Sequence, residues 1–182
     1  VYPYLGWSLD KQLTLDAHTE RTAQSIVAAT ARVGRMGGRP GGLPIRTTFH
    51  LWSSLALPYV HGAAALLSDR QIQRIQKKIL AGVQQMAGSR TDPTAVLCDL
   101  GLPDAHIIRD IRLANLFVRL QTLPPDMVPA SLHRFLQKKT SVRSETIEGD
   151  MLRLLAKIGC GHLWTSISPP PPASLCRVSA VL

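Results

Sequence analysis

The feature that most constrains the fold is a run of apolar residues at helical spacing in the middle of the chain. Five of them follow one another at intervals of three or four positions: Ile72, Ile75, Ile79, Val83 and Met86. This spacing places all five on one face of an α-helix, which Ser68 or Asp69 can cap and Gly88 can end. Shorter runs with the same period, separated by proline and glycine, recur along most of the chain. The sequence therefore predicts a mostly helical fold.

We predict an all-α bundle of about six to seven helices, preceded by one short β-strand and followed by a proline-rich C-terminal tail. Residues 1–9 are rich in aromatic and β-favouring side chains, which predicts the strand. Pro58 is expected to kink a helix that begins near Pro44, and residues 59–67 to continue it as a deeply buried helix. The predicted segments are a strand and turn over 1–13, a helical domain over 14–137, a basic connector and final helix over 138–164, and a proline-rich tail over 165–182.

Positive charge is concentrated in the first half of the chain. The sequence has 21 Lys and Arg against 12 Asp and Glu, a formal net charge of +9. No acid interrupts the series from Arg21 to Arg46, or the series from Arg70 to Arg90. Clustered cations of this kind are typical of a surface that binds a polyanion, although a solvated helix face is the alternative. The candidate phosphate contacts are Arg32, Arg35, Arg39, Arg46, Arg70, Arg74, Lys77 and Lys78.

The sequence lacks the patterns that catalysis requires. No two acidic residues are adjacent, so the paired carboxylates of a metal-dependent polymerase or nuclease are missing. Cys160 and His162 supply only two of the four ligands of a structural zinc site. The glycine cluster at 34–42 lacks the Gly-Lys-Ser/Thr ending of a phosphate-binding loop. We therefore expect no enzymatic activity from this chain on its own, and neither a metal nor another cofactor.

The cysteines and the apolar runs bear on the compartment. The chain has 3 cysteines, far apart in sequence, which favours a reducing intracellular environment; the nucleus and the mitochondrion both remain open. The longest run of low polarity, Leu55–Leu67, is too short to span a bilayer, so we expect no membrane association. The chain begins with Val and shows no signal segment, so we expect a fragment of a longer protein.

An aromatic-Leu-Gly turn lies next to the first basic region. Backbone groups exposed at Gly6, between Tyr4 and Trp7, could support a nucleic-acid backbone or let a base stack. The alternative is that both aromatic side chains lie in a core and Gly6 only relieves crowding. The first candidate contacts are Tyr4, Leu5, Gly6 and Trp7.

Four groups of residues share their order with a known family. They are Tyr4-Leu5-Gly6 with Leu13-Thr14 and His18; Leu51-Trp52-Ser53-Ser54 through Pro58-Tyr59 and His61-Gly62; Ile72, Ile75, Gln76 and Ile79; and Leu100-Gly101-Leu102-Pro103. Together, over residues 2–136, they resemble the thumb region that follows the palm in reverse transcriptases of non-LTR (LINE-type) retrotransposons. The chain departs from that family at His61, where the family usually has Tyr, and in its glycine-rich loop.

The resemblance implies that Tyr4, Leu5 and Gly6 act as a primer grip and that the helices hold a template–primer duplex. The palm with its Asp-Asp motif is absent, which leaves a part of a longer RNA-directed DNA polymerase or a remnant put to another use. The expected partner is RNA or an RNA–DNA hybrid. A structural RNA-binding component of a ribonucleoprotein, such as an organellar ribosome, with other protein subunits as partners, is an alternative. A helical scaffold that docks proteins is a third.

Overall fold

The computed structural model describes residues 2–4, 7–11, 14–38, 40–124, 126–138 and 147–165. Within them the secondary structure is almost entirely helical, and the chain divides into one unit over residues 1–109 and a second over residues 110–182. The boundary falls inside a helix of the predicted 14–137 domain; the predicted segment limits themselves stay predictions. None of the described helices combines the length and the apolar character needed to cross a bilayer.

The elements follow one another in a simple order. The first unit contains β1 (Tyr2–Tyr4), β2 (Trp7–Leu9), α1 (Asp16–Arg35), α2 (Ile45–His61), a 3-10 turn (Ala64–Leu66), α3 (Asp69–Ala87), α4 (Pro93–Asp99) and the start of α5 (Ala105–Thr122). The second unit contains the rest of α5, α6 (Val128–Lys138), α7 (Ile147–Lys157) and α8 (His162–Thr165).

The prediction of one short strand before six to seven helices is wrong. No single strand runs through residues 1–9; instead the three-residue segments β1 and β2 pair antiparallel, with Tyr4 opposite Trp7. Only Leu5 and Gly6, which lie outside the described residues, separate them, and two residues is the shortest common hairpin connection. The described part of the chain contains eight α-helices rather than seven, because the short α8 follows α7.

Helix α3 confirms the prediction from apolar spacing. Its five periodic apolar residues are all buried, and Ser68 caps its first turn by accepting a hydrogen bond from the Gln71 backbone while the Gln71 side chain accepts one from the Ser68 backbone. Gly88 ends the helix with φ of 108°, a conformation that a residue with a side chain rarely adopts. Burial of one face of α3 therefore sets which side chains remain on its outer surface.

Helices α1 and α3 run parallel in the first unit. Asp16 at the start of α1 contacts Gln71 near the start of α3, and Thr30 near the end of α1 lies against Gly82 near the end of α3. Helix α2 returns antiparallel along α1, and its Trp52 Nε1 donates a hydrogen bond to Thr30 Oγ1 at 3.0 Å. The apolar core of this unit forms where the three helices, α4 and the start of α5 meet.

Pro58 lies inside α2 and does not end it, as the sequence predicts, and the predicted kink at Pro58 stays a prediction. The helix continues through it to His61, and only the short 3-10 turn over Ala64–Leu66 follows. Pro58 and Ser54, the residue whose carbonyl loses its usual helical partner, are both exposed, so water can satisfy that carbonyl. The predicted burial of residues 59–67 holds in part, since Val60, Ala63, Ala64 and Leu67 are buried while Tyr59 is 48% exposed. The predicted helix over this segment is wrong beyond His61, where α2 ends.

The second unit packs around an aromatic cluster. Phe117 of α5 and Trp164 of α8 stack with ring centroids 6.4 Å apart, and His133 of α6 meets both rings edge-on. His133 is buried, its Nε2 lies 3.4 Å from Gln121 Nε2, and its Nδ1 has no hydrogen-bond partner among the described residues. The cluster therefore joins α5, α6 and α8 through a buried imidazole, which fits this apolar site best in its uncharged form.

Candidate nucleic-acid interface

Four of the predicted cations form one outward face of α3, which we call the basic face: Arg70, Arg74, Lys77 and Lys78. All four are exposed. At 3.6 residues per turn they fall within an arc of about 100° and lie opposite the buried apolar face. The apolar periodicity that fixes the core side of α3 therefore also directs these cations to solvent.

Nearby acids neutralise little of the basic face. Arg74 Nη1 lies 3.8 Å from Asp16 Oδ1, with both side chains about half exposed, a geometry worth no more than about 1 kcal/mol. Asp69 precedes Arg70 in sequence, but its carboxylate is engaged by the buried guanidinium of Arg109. Among the described residues, Arg70, Lys77 and Lys78 form no ion pair with an acid.

Arg32 and Arg35 lie in the last turn of α1 and are exposed. Arg35 lines a cleft of about 510 Å³ at the joint C-terminal ends of α1 and α3, together with Gln85 and the glycines of the following loop. Cations at a helix C-terminus also stabilise the helix through its dipole, so these two arginines have a structural role besides any contact with phosphate. Arg35 is thus near α3, but at the end opposite Arg70.

Arg46 lies elsewhere in the first unit. It is exposed in the first turn of α2 and lines a different cleft, of about 420 Å³, between α2 and residues 99–102. Asp99 lies in the same cleft, so the surroundings of Arg46 have mixed charge. The predicted cations therefore do not form one row: the structure groups four on α3, places two at the end of α1, and separates Arg46 from both groups.

The hairpin residues are described only through their backbone. β2, with Trp7, packs near α1, and Tyr4 pairs with it across the hairpin. Leu5, Gly6 and Arg39 lie outside the described residues. Whether the aromatic residues contact nucleic acid or a core stays a prediction.

Sequence reasoning missed three ionisable side chains that the fold buries. Arg109, 6% exposed, ties α5 to the first turn of α3 through Asp69, a pairing 40 residues apart that no local pattern reveals. His18 and His133 are buried as well, and burial lowers the pKa of each; Arg21 lowers the pKa of His18 further, whereas Glu148 partly offsets the effect at His133. Neither histidine points to a metal, since no three His, Cys, Asp or Glu side chains converge within the described residues.

Comparison with known proteins adds no assignment: no family model, curated protein or solved structure matches the chain. The resemblance to the thumb of a reverse transcriptase accordingly stays a prediction.

Proposed function

We propose that residues 1–109 bind RNA or an RNA–DNA hybrid through its phosphates, without catalysing a reaction. The observation that carries the proposal is the basic face of α3, four exposed cations opposite a buried apolar face. The helix backbone fixes the spacing of the four cations, and each contact with a phosphate releases condensed counterions. Phosphate contacts position a protein on a duplex without reading its sequence.

The length of the basic face sets how strongly we expect salt to weaken binding. From Arg70 to Lys78 the helix rises about 12 Å, at 1.5 Å per residue. One strand of a duplex carries a phosphate about every 3.4 Å along the duplex axis, so a helix lying along that axis matches three to four phosphates over this length. The face should therefore contribute about 3 units to the slope of log affinity against log salt concentration.

The test compares two variants that lose the same charge. Replacing all four residues of the basic face by Ala should weaken binding of an RNA–DNA hybrid and lower the salt slope by about 3. The control replaces four other exposed cations by Ala, namely Lys11, Arg90, Arg112 and Arg119. Fluorescence anisotropy across a series of salt concentrations measures both quantities. If both variants lose affinity equally, net charge rather than the basic face accounts for binding.

Within this proposal the helical unit acts as the thumb of a longer polymerase, or as a fixed RNA-binding component of a ribonucleoprotein. The first is supported by the order of motifs that resembles the non-LTR reverse transcriptases, and the second needs only the basic face. The two are separated by a primer-extension assay on the full natural protein, since a thumb is joined to a palm that incorporates nucleotides and an RNA-binding component is not.

One observation favours docking of a protein as a second candidate function. Helix α6 of the second unit exposes Val128 (75%), Leu132 (54%) and Phe135 (56%) at intervals of four and three residues. An amphipathic helix can place such residues in the groove of a partner. Replacing Val128 and Leu132 by Ser should abolish that docking, measured by cross-linking to a partner complex, and leave binding of nucleic acid by the first unit unchanged.

A further inference from the structure

The cleft between α2 and residues 99–102 has two chemically different walls. Arg46, Phe49, His50 and Ser53 line one side, and their spacing places all four on a single face of α2. Asp99, at the end of α4, and Leu100 and Leu102 line the opposite side. At about 420 Å³ the cleft falls within the size range of small-ligand sites.

The groups in the cleft define the ligand that would satisfy them. Arg46 and His50 offer hydrogen-bond donors on the α2 wall. Ser53 Oγ donates to the His50 backbone carbonyl at 3.0 Å, so its lone pairs remain available as acceptors. Asp99 offers a carboxylate on the other wall, and the buried ring of Phe49 provides an apolar floor. A fitting ligand carries an anion at one end and a hydroxyl or amino donor near it.

Asp99 contributes little to the fold. It is exposed, forms no ion pair or hydrogen bond through its side chain among the described residues, and is the last residue of α4. A carboxylate at a helix C-terminus opposes the helix dipole, so this charge is mildly unfavourable where it stands. Asp99 and Arg46 line the same cleft without forming an ion pair, so a ligand bound in the cleft can contact both charges.

Resting on the function proposed above, we propose that this cleft binds one unpaired ribonucleotide of the RNA partner. The phosphate lies against Arg46 and His50, and the ribose 2′-hydroxyl donates a hydrogen bond to the Asp99 carboxylate. The 2′-hydroxyl is adjacent to the 3′-phosphate, so a single nucleotide carries both the anion and the hydroxyl donor that the two walls can bind. DNA lacks this donor, and its deoxyribose leaves Asp99 without a partner. The cleft thus gives the protein a preference for RNA over DNA that the basic face alone cannot supply.

The test uses the full chain and two ligands that differ at one atom per nucleotide, a ten-residue oligouridylate and the matching oligodeoxyuridylate. Wild type should bind the RNA about tenfold more tightly, the effect of one hydrogen bond to a charged group. In Asp99→Ala the RNA and the DNA should bind with equal affinity. Glu20→Ala, which removes an exposed carboxylate from α1, should keep it. Arg46→Ala should weaken binding of both ligands and leave Asp99 to discriminate between them.

A change in the ligand provides a test that does not depend on the folding of any variant. A 2′-O-methyl oligouridylate keeps the ribose but has no 2′-donor, and it should bind wild type as weakly as the DNA. Equal affinity of wild type for RNA and DNA would overturn the proposal that the cleft binds a ribonucleotide. An unchanged ratio of RNA to DNA affinity in Asp99→Ala would overturn it as well. Either result leaves the proposed binding by the basic face intact. If the protein binds neither these three ligands nor the RNA–DNA hybrid in a salt-dependent way, the proposed function is overturned together with the role of the cleft.

Discussion

Substitution of Gly82 by Ala tests the packing that orients the basic face. An ideal Cβ at Gly82 would lie 2.7 Å from Thr30 Oγ1, well inside normal contact distance. Thr30 cannot move aside easily, because its hydroxyl donates to the Ile26 carbonyl at 2.9 Å and accepts from the Trp52 indole. The side chain is also β-branched and therefore stiff at its first torsion angle. The added methyl group must push α3 away from α1.

Two opposing effects set the magnitude. Ala in place of Gly in a helix interior raises stability by about 1 kcal/mol. Overpacking of a filled core lowers it by about 1 to 3 kcal/mol, and the tight contact with a side chain held on both sides favours the upper part of that range. We therefore expect Gly82→Ala to lower the free energy of unfolding by about 1 to 2 kcal/mol.

Gly34→Ala is the matched control. Gly34 lies in the last turn of α1, and nothing approaches its ideal Cβ within 4 Å, so only the gain in helix propensity, up to about 0.5 kcal/mol near a helix end, remains. Urea denaturation followed by circular dichroism compares the two variants. A Gly82→Ala protein that is as stable as Gly34→Ala would refute the proposed close approach of α1 and α3.

Two further substitutions test the burial of ionisable side chains. Asp69→Ala should lower the free energy of unfolding by about 2 kcal/mol, because it leaves the buried Arg109 guanidinium without its carboxylate. Urea denaturation measures the change, and a loss below about 0.5 kcal/mol would contradict the pairing. Burial lowers the pKa of His133 from its ordinary value of 6.5, so the folded state binds this proton less readily than the unfolded state does. The stability contributed by neutral His133 is present above pH 6.5 and is lost as the pH falls below it. His133→Phe should therefore lose less stability than wild type between pH 7.5 and pH 5.5, with His18 contributing equally to both proteins; identical losses would show that His133 is not buried as a neutral group.

The sequence predicts well what depends on local spacing. The buried face of α3, its Ser68 cap and its outward cations all follow from a helical period within 20 residues. Pro58 is tolerated inside α2 because the cost of a helical proline depends on whether the carbonyl that loses its hydrogen bond is exposed, and Ser54 is exposed. The single predicted strand is wrong because aromatic composition indicates extended backbone but not the reversal between Tyr4 and Trp7.

Contacts between distant residues could not be predicted from one sequence. The pairing of Asp69 with Arg109 and the approach of Gly82 to Thr30 join helices that are far apart along the chain. The candidate site likewise has one part that the sequence predicts and one part that only the tertiary structure shows. Charge counting identifies the basic face of α3, but only the tertiary structure separates Arg46 from it and places Asp99 opposite Arg46 in a cleft.

The most direct test of the central claim is lysine footprinting on the bound complex. Lys77 and Lys78 lie on the basic face, whereas Lys157 lies in the second unit; all three are exposed and open to acetylation. With a saturating RNA–DNA hybrid, mass spectrometry should show Lys77 and Lys78 protected and Lys157 as reactive as in the unbound protein. Full reactivity of Lys77 and Lys78 while the duplex is bound would contradict the claim that α3 lies along the phosphates.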